Sequence, residues 1–336
     1  MGLPSLSDLF WAHLGPVADK WEQYIPFYEA ELRRYLESQR PVVLLEIGVM
    51  NGGSLELWRK LLPPQSRVVG MDIDERCRVL QLSDGIELHI GDATQRTFVD
   101  TALGETRFDI IIDDGSHRSI DIIATFENLF GRLKPGGSYI VEDLHTSYWR
   151  EYGGGFRTEG SSIEWAKNLV DAINADHIKN TADIPSEEVA QLKEFNKEIA
   201  RIAFFDSALV VQKYLAPKNR SFARVVTGTE FPVFDPIQWV HSMPVDSLGN
   251  LIVGPSVARR LETGLTRSLE EKEHHLDRQK QELQGKEQEV KRQAQQLQRQ
   301  AQQLKSLLTS TSWKITSPLR WVGEALRSLR RSGRSI

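Results

Sequence analysis

The sequence predicts an α/β fold in which helices cover both faces of a largely parallel sheet, followed by a helical rod. Three observations predict it. Short runs rich in Val and Ile alternate with helix-length amphipathic stretches as far as Asp143. Two later apolar runs are separated by Asp206 and Ser207 alone, too little chain for a crossover, so the last strand must be antiparallel. Leu or Val then recurs at every seventh position from Leu269 to Leu304.

The first five strands read as Val42 to Gly48, Arg67 to Asp72, Ile86 to Ile90, Phe108 to Asp113 and Ser138 to Asp143. Each is nearly continuous in apolar residues, as a strand covered on both faces should be. A polar and helical insertion spans residues 144 to 198, and Ile199 to Phe205 and Ala208 to Lys213 complete the sheet.

From Ser268 to Leu308 the composition turns to Glu, Lys, Arg and Gln around the seam Leu269, Leu276, Leu283, Val290, Leu297 and Leu304. The companion seam position holds Glu273, Lys280 and Glu287 and then Ala294, Ala301 and Leu308, so the second half suits a coiled coil and homo-oligomerisation better than the first. The alternative is a single solvated charged helix. Beyond it, Ser317-Pro318 opens a short helix with Leu319, Val322, Leu326 and Leu329 on one face and Lys314, Arg320, Arg327, Arg330, Arg331 and Arg334 beside them. Such an end suits an anionic membrane surface or, equally, a partner protein.

The expected organisation is therefore a helical cover over 1–40, a sheet domain over 41–255, a coiled-coil segment over 256–310 and a basic amphipathic tail over 311–336. Charge supports the division. The whole chain of 336 residues carries a net charge of −4, yet residues 256–336 hold 17 Lys or Arg against 9 Asp or Glu. A single cysteine, Cys77, excludes an internal disulfide, and no Cys/His group has zinc-site spacing. The N-terminus has no basic stretch leading into an apolar run, and nowhere do about 18 uncharged apolar residues occur together, so no membrane span is expected. A cytoplasmic location is expected, with peripheral contact at the inner face of the membrane through the tail.

The chemistry-bearing segments follow the strands. The first strand runs through Glu46-Ile47-Gly48-Val49-Met50-Asn51-Gly52-Gly53-Ser54 into a helix. Met50 occupies the second glycine of a dinucleotide fingerprint, which disfavours a pyrophosphate and favours a ligand without one. Asp72, at the end of the second strand, can accept ribose hydroxyls, and Gly91-Asp92-Ala93 after the third can meet an adenine edge. The fourth strand leads into Asp113-Asp114-Gly115-Ser116-His117 and the fifth into Glu142-Asp143-Leu144-His145. Three carboxylates at two neighbouring strand ends repel one another unless a cation sits among them, and oxygen ligands favour magnesium.

Glu46, Gly48, Gly52, Asp72, Asp92 and Asp113 in this succession resemble the class I S-adenosylmethionine-dependent methyltransferases. The resemblance implies a Rossmann-like seven-stranded sheet of order 3-2-1-4-5-7-6 with an antiparallel last strand. It also implies S-adenosylmethionine as cofactor, held by Glu46, Gly48, Asn51, Gly52, Ser54, Asp72, Asp92, Ala93 and Asp113. The D-D-G-S-H stretch, with Glu142-Asp143 after the next strand, is similar to the metal-dependent macrolide sugar O-methyltransferases of the mycinamicin type. That similarity implies Mg2+ held by Asp114, Glu142 and Asp143, and His117 as catalytic base. Asp19-Lys20-Trp21 and Tyr24-Ile25-Pro26-Phe27-Tyr28 loosely resemble the same family's helical cover, although apolar packing alone would explain those aromatics. The stretch from Thr311 to Arg320 looks like an ending shared by bacterial enzymes of surface-polysaccharide assembly.

The function expected is thus methyl transfer from S-adenosylmethionine to a sugar or glycan hydroxyl, with no nucleic-acid partner. Two alternatives stand beside it. One is a cephalosporin-hydroxylase-like enzyme whose iron would need His117, His145 and a neighbouring acid; the other is a non-catalytic scaffold for glycan-assembly enzymes. His117 could also be a loop histidine capping the helix that starts near Ser119, and Glu142 and Asp143 a salt-bridged loop.

Overall fold

The structure is a computed structural model. It describes residues 5–178, 181, 182, 184–219, 224–226, 233, 251–253, 255–309, 324 and 327. The tail expected over 311–336 therefore lies outside the described residues, except for Glu324 and Arg327. Two compact units divide at residue 222, and the described residues 224–226 and 251–253 belong to the unit of the long helix.

The first unit opens with helices α1 (Leu6–Trp11) and α2 (Tyr24–Ser38). It continues as β1 (Val43–Ile47), α3 (Gly53–Leu61), β2 (Arg67–Asp72), β3 (Ile86–Ile90), α4 (Arg96–Leu103), β4 (Phe108–Asp113), α5 (Ser119–Leu129) and β5 (Leu133–Val141). After it come α6 (Ser162–Ile173), α7 (Ser186–Glu198), β6 (Ile199–Phe204) and β7 (Leu209–Lys213). The seven strands lie in the order β3-β2-β1-β4-β5-β7-β6, and β7 runs antiparallel to both of its neighbours, as expected. This is the class I methyltransferase fold.

Strand β5 starts five residues earlier than the apolar run suggests. Leu133 pairs with Phe108 and Ser138 with Ile110, so the intervening Lys134-Pro135-Gly136-Gly137 is taken up by an irregularity in the ladder.

Neighbouring residues on one strand feed opposite cores, which is why the strands read as unbroken apolar runs. Leu44, Ile110, Ile112 and Val210 pack with Tyr28, Leu32 and Trp58 from α2 and α3. Leu45, Ile111, Leu209 and Val211 pack with Val99, Phe126 and Leu169 from α4, α5 and α6.

Order reverses between β1 and β4, the place where an open α/β sheet forms a crevice at its carboxyl ends. Ladder bonds continue one step past the strands there. Gly48 N donates to Met71 O, Asp114 N to Ile47 O and Glu142 N to Asp113 O, at 2.9 Å each. These bonds hold the ends of β1, β4 and β5 side by side.

In the second unit, β8 (Arg224–Val226) pairs parallel with β9 (Leu251–Val253), and α8 runs without interruption from Pro255 to Thr309. At about 1.5 Å per residue it is a rod of roughly 80 Å. Its seam residues are solvent-exposed along the chain, Leu269 by 62% and Leu297 by 66%. Among the described residues, no helix is long and apolar enough to cross a membrane.

Candidate functional site

A cavity of about 1170 Å³ opens over the carboxyl ends of β1 to β5. Gly48, Asn51, Ser54, Asp72, Asp92, Ala93, Asp113, Asp114, His117, Glu142 and Asp143 all line it. Gly48 lies at φ +87°, and a Cβ there would fall 2.0 Å from the Asp114 carbonyl oxygen, so only glycine permits the close approach of β1 and β4. Met50, in the place of the fingerprint's second glycine, nevertheless takes φ +49°. Its N–H and that of Val49 donate to Asp72 Oδ2 at 3.0 and 2.7 Å, and Asp74 N–H donates to Asp72 Oδ1 at 2.8 Å. A carboxylate has about four acceptor positions, so roughly one is left to Asp72 for a ribose hydroxyl rather than the pair its position suggests. Asp92 Oδ1 similarly accepts from the Thr94 backbone N–H and hydroxyl.

Glu46 and Gly52, expected to meet the cofactor, are not part of the cavity lining. Gly52 turns at φ +83° beneath the side chain of Leu82. Glu46 is fully buried, its Oε2 accepting from Ser54 Oγ at 2.7 Å and its Oε1 lying 3.5 Å from Lys20 Nζ.

Lys20, which the sequence places only within the loosely matching Asp19-Lys20-Trp21 cover, stands inside the site. Its side chain is 5% exposed, and Nζ lies 2.5 Å from Asp114 Oδ2 and 2.7 Å from Glu142 Oε1. Tyr28 donates to the same Glu142 oxygen at 2.6 Å. Burial opposes the Lys20 charge, but Glu142, Asp114 and Glu46 outweigh it and hold the ammonium protonated well above its ordinary range. One ammonium cannot balance three carboxylates. Burial therefore drives both Glu142 and Glu46 upward from the usual carboxylate range, and nearby Asp114 adds to each rise. Burial also pushes Asp113 up to about 7, against the opposing Gly115 N–H.

The acids form two groups that share Asp114. Glu46, Asp114 and Glu142 make a buried inner group; Asp114, His117 and Asp143 make a half-buried outer one. Asp114 Oδ2 faces Lys20 in the first, while Oδ1 lies 4.0 Å from His117 Nε2 in the second. Asp143 Oδ2 stands 3.6 Å from His117 Nε2, and its Oδ1 accepts from Trp21 Nε1 at 2.9 Å and from Tyr24 Oη at 3.0 Å. The family similarity implies one cage of Asp114, Glu142 and Asp143; the geometry spreads those acids over both groups.

His117 and Asp143 both adopt left-handed backbone, at φ +58° and +52°. For non-glycine residues this costs roughly 1–3 kcal/mol each and is found where a site dictates side-chain direction. His145 stands apart from the acids. It lies edge-on to Trp21 and Trp149, with Nδ1 2.5 Å from Ser207 Oγ. Among the described residues it joins no metal-competent group, so the two-histidine iron triad of a hydroxylase is not assembled.

Tyr24 and Tyr28 thus belong to both the site and the core, while Trp21 is exposed and belongs to the site alone. Their aromatic pattern alone could show only the packing.

No protein-family model matches the chain. It is similar to mycinamicin VI 2''-O-methyltransferase of Micromonospora griseorubida, at 35% identity over 181 residues, which is 51% of this chain and 44% of the relative. It is also similar to the 8-demethyl-8-alpha-L-rhamnosyl tetracenomycin-C 2'-O-methyltransferase of Streptomyces olivaceus, at 31% over 241 residues, 68% of this chain and 59% of the relative. The chain spans about half the length of these curated relatives. Among solved structures it resembles MycE methyltransferase of the mycinamycin pathway in complex with Mg and SAH, with 29% identity and a TM-score of 0.54. That match covers 63% of this chain and 55% of the other.

Proposed function

We propose that this chain is an S-adenosylmethionine-dependent O-methyltransferase, assisted by a divalent metal, that acts on a sugar hydroxyl. The single observation that carries the reading is His117 Nε2 facing Asp114 and Asp143 at the mouth of a cavity that spans the ends of β1 to β5. Similarity to sugar O-methyltransferases supports it.

The residues present fit both bound groups. Asn51, Ser54, Asp72, Asp92, Ala93 and Asp113 line the side of the cavity suited to an adenosyl group without a pyrophosphate, with Gly48 admitting it close to the backbone. Asp114, Glu142 and Asp143 offer an oxygen-only set, and two of them, Asp114 and Glu142, already hold a cation in the Lys20 ammonium. When bound, the cofactor supplies an electrophilic methyl group and Mg2+ supplies positive charge next to the acceptor oxygen.

The chain's own residues do the rest. His117 Nε2 receives the proton of the acceptor hydroxyl, and the carboxylates of Asp143 and Asp114 stabilise the imidazolium that results. Trp21 and Tyr24 hold the Asp143 carboxylate in place from the side away from His117. The acceptor is inferred to be the sugar of a glycan or glycosylated metabolite. Neither the hydroxylase nor the scaffold reading has a specific observation in its favour.

The seam of α8 supports self-association through a coiled coil, which would present several catalytic units on one assembly. The reading is tested by thermal shift of the purified chain with S-adenosylhomocysteine, with and without Mg2+. A rise in Tm with the nucleoside and a further rise with Mg2+ are expected; no response to the nucleoside overturns the methyltransferase reading.

A further inference from the structure

We propose that Lys20 competes with the metal: its ammonium is the cation held by the inner acids while no divalent ion is bound, and leaves when one takes Asp114 and Glu142. The inference rests on the metal site proposed above. Its basis is that the ammonium already holds one oxygen of each of two carboxylates, Asp114 and Glu142, that a metal would need. Nζ lies 2.5 Å from Asp114 Oδ2 and 2.7 Å from Glu142 Oε1, with Glu46 Oε1 at 3.5 Å. Tyr28 Oη adds a hydrogen bond to that Glu142 oxygen, so little of its acceptor capacity is spare.

Lysine has the properties such an exchange requires. Its charge is a point at the end of a four-carbon stem, and it can retract without a backbone change, whereas a guanidinium would fork across two carboxylates and resist displacement. Lys20 also sits on the segment that walls the cavity. Val17, Ala18, Asp19 and Trp21 line the cavity beside it. The segment is pressed onto the start of α3, where a Cβ on Gly53 would fall 2.4 Å from the Pro16 carbonyl oxygen. At its other end Trp21 Nε1 is bonded to Asp143. A metal that expels the ammonium therefore acts directly on the segment that walls the cavity.

An ammonium that fills the site nine-tenths of the time weakens a competing ion about tenfold. Mn2+ binding to the full chain, followed by electron paramagnetic resonance, is expected to tighten by roughly that factor in Lys20→Met and to weaken in Lys20→Arg. In the unaltered protein, reductive methylation read by peptide mass spectrometry is expected to modify Lys20 slowly without metal and several-fold faster in saturating Mg2+. This second arm decides the matter should Lys20→Met fail to fold. Equal or weaker Mn2+ affinity in folded Lys20→Met, or Lys20 labelling indifferent to Mg2+, overturns the inference alone. Absence of Mn2+ binding in both proteins overturns it together with the metal reading.

Discussion

His117 and Asp143 face one another across the mouth of the cavity, Nε2 to Oδ2 at 3.6 Å, and Thr146 Oγ1 lies 2.8 Å from the backbone carbonyl oxygen of each. One hydroxyl proton is thus shared between two left-handed residues. Replacing Thr146 by Val should leave both carbonyls without this partner. A loss of about 1–3 kcal/mol of stability is expected, together with reduced methyl transfer. An unchanged denaturant midpoint would contradict this account of how the pair is held.

Substitution of His117 by Asn keeps a polar side chain of similar size but removes the base. Turnover with a sugar acceptor should fall by about 10²- to 10⁴-fold, with the loss in kcat. Binding of S-adenosylhomocysteine should persist, since His117 is expected to handle the acceptor's proton. A variant with full kcat would exclude His117 as the base.

Gly48→Ala introduces a Cβ 2.0 Å from the Asp114 carbonyl at a left-handed φ. Backbone strain alone costs roughly 1–3 kcal/mol, and the clash adds to it by forcing β1 and β4 apart. A lower unfolding midpoint and weakened S-adenosylhomocysteine affinity should appear together in calorimetry. Wild-type values for both would refute the close-approach argument.

Cys77 lies against the cavity with Sγ 3.4 Å from the Met50 carbonyl, and burial pushes its thiol up to about 11, with Asp72 adding to the rise. A raised thiol pKa means less thiolate at neutral pH. Alkylation by iodoacetamide at pH 8 should therefore run roughly 10²-fold slower than for an ordinary thiol, climbing about tenfold per pH unit toward 11. Fast labelling at pH 8 would show the thiol to be ordinary.

Leu297→Asp with Leu304→Asp places charge on the seam of α8 where the companion position is Ala294 and Ala301. Sedimentation velocity is expected to show an oligomer for the unaltered protein and a monomer for this variant, with the fold of the sheet unit kept. A monomeric unaltered protein would identify α8 as a solvated single helix.

Much of the fold was legible because its cause is local. Continuous apolar runs such as Phe108 to Asp113 report two covered faces, and the two-residue gap at Asp206-Ser207 forces an antiparallel return. The early start of β5 was hidden, since Pro135 and two glycines disguise a stretch that the ladder absorbs as an irregularity. The acids were legible too, because strand ends are where an open sheet presents its side chains to a ligand.

Their division into two groups was not legible. Lys20 meets Asp114 across 94 residues of chain and Glu142 across 122, and no spacing or period connects such positions. Sequence by itself determined which carboxylates arrive at the rim and in what order. Tertiary structure decided that Glu46 turns inward, that Asp114 offers one oxygen to each group, and that a lysine from the N-terminal segment stands among the inner acids. Repulsion among buried like charges is relieved by a bound proton or by a cation, and which cation is at hand depends on packing in three dimensions.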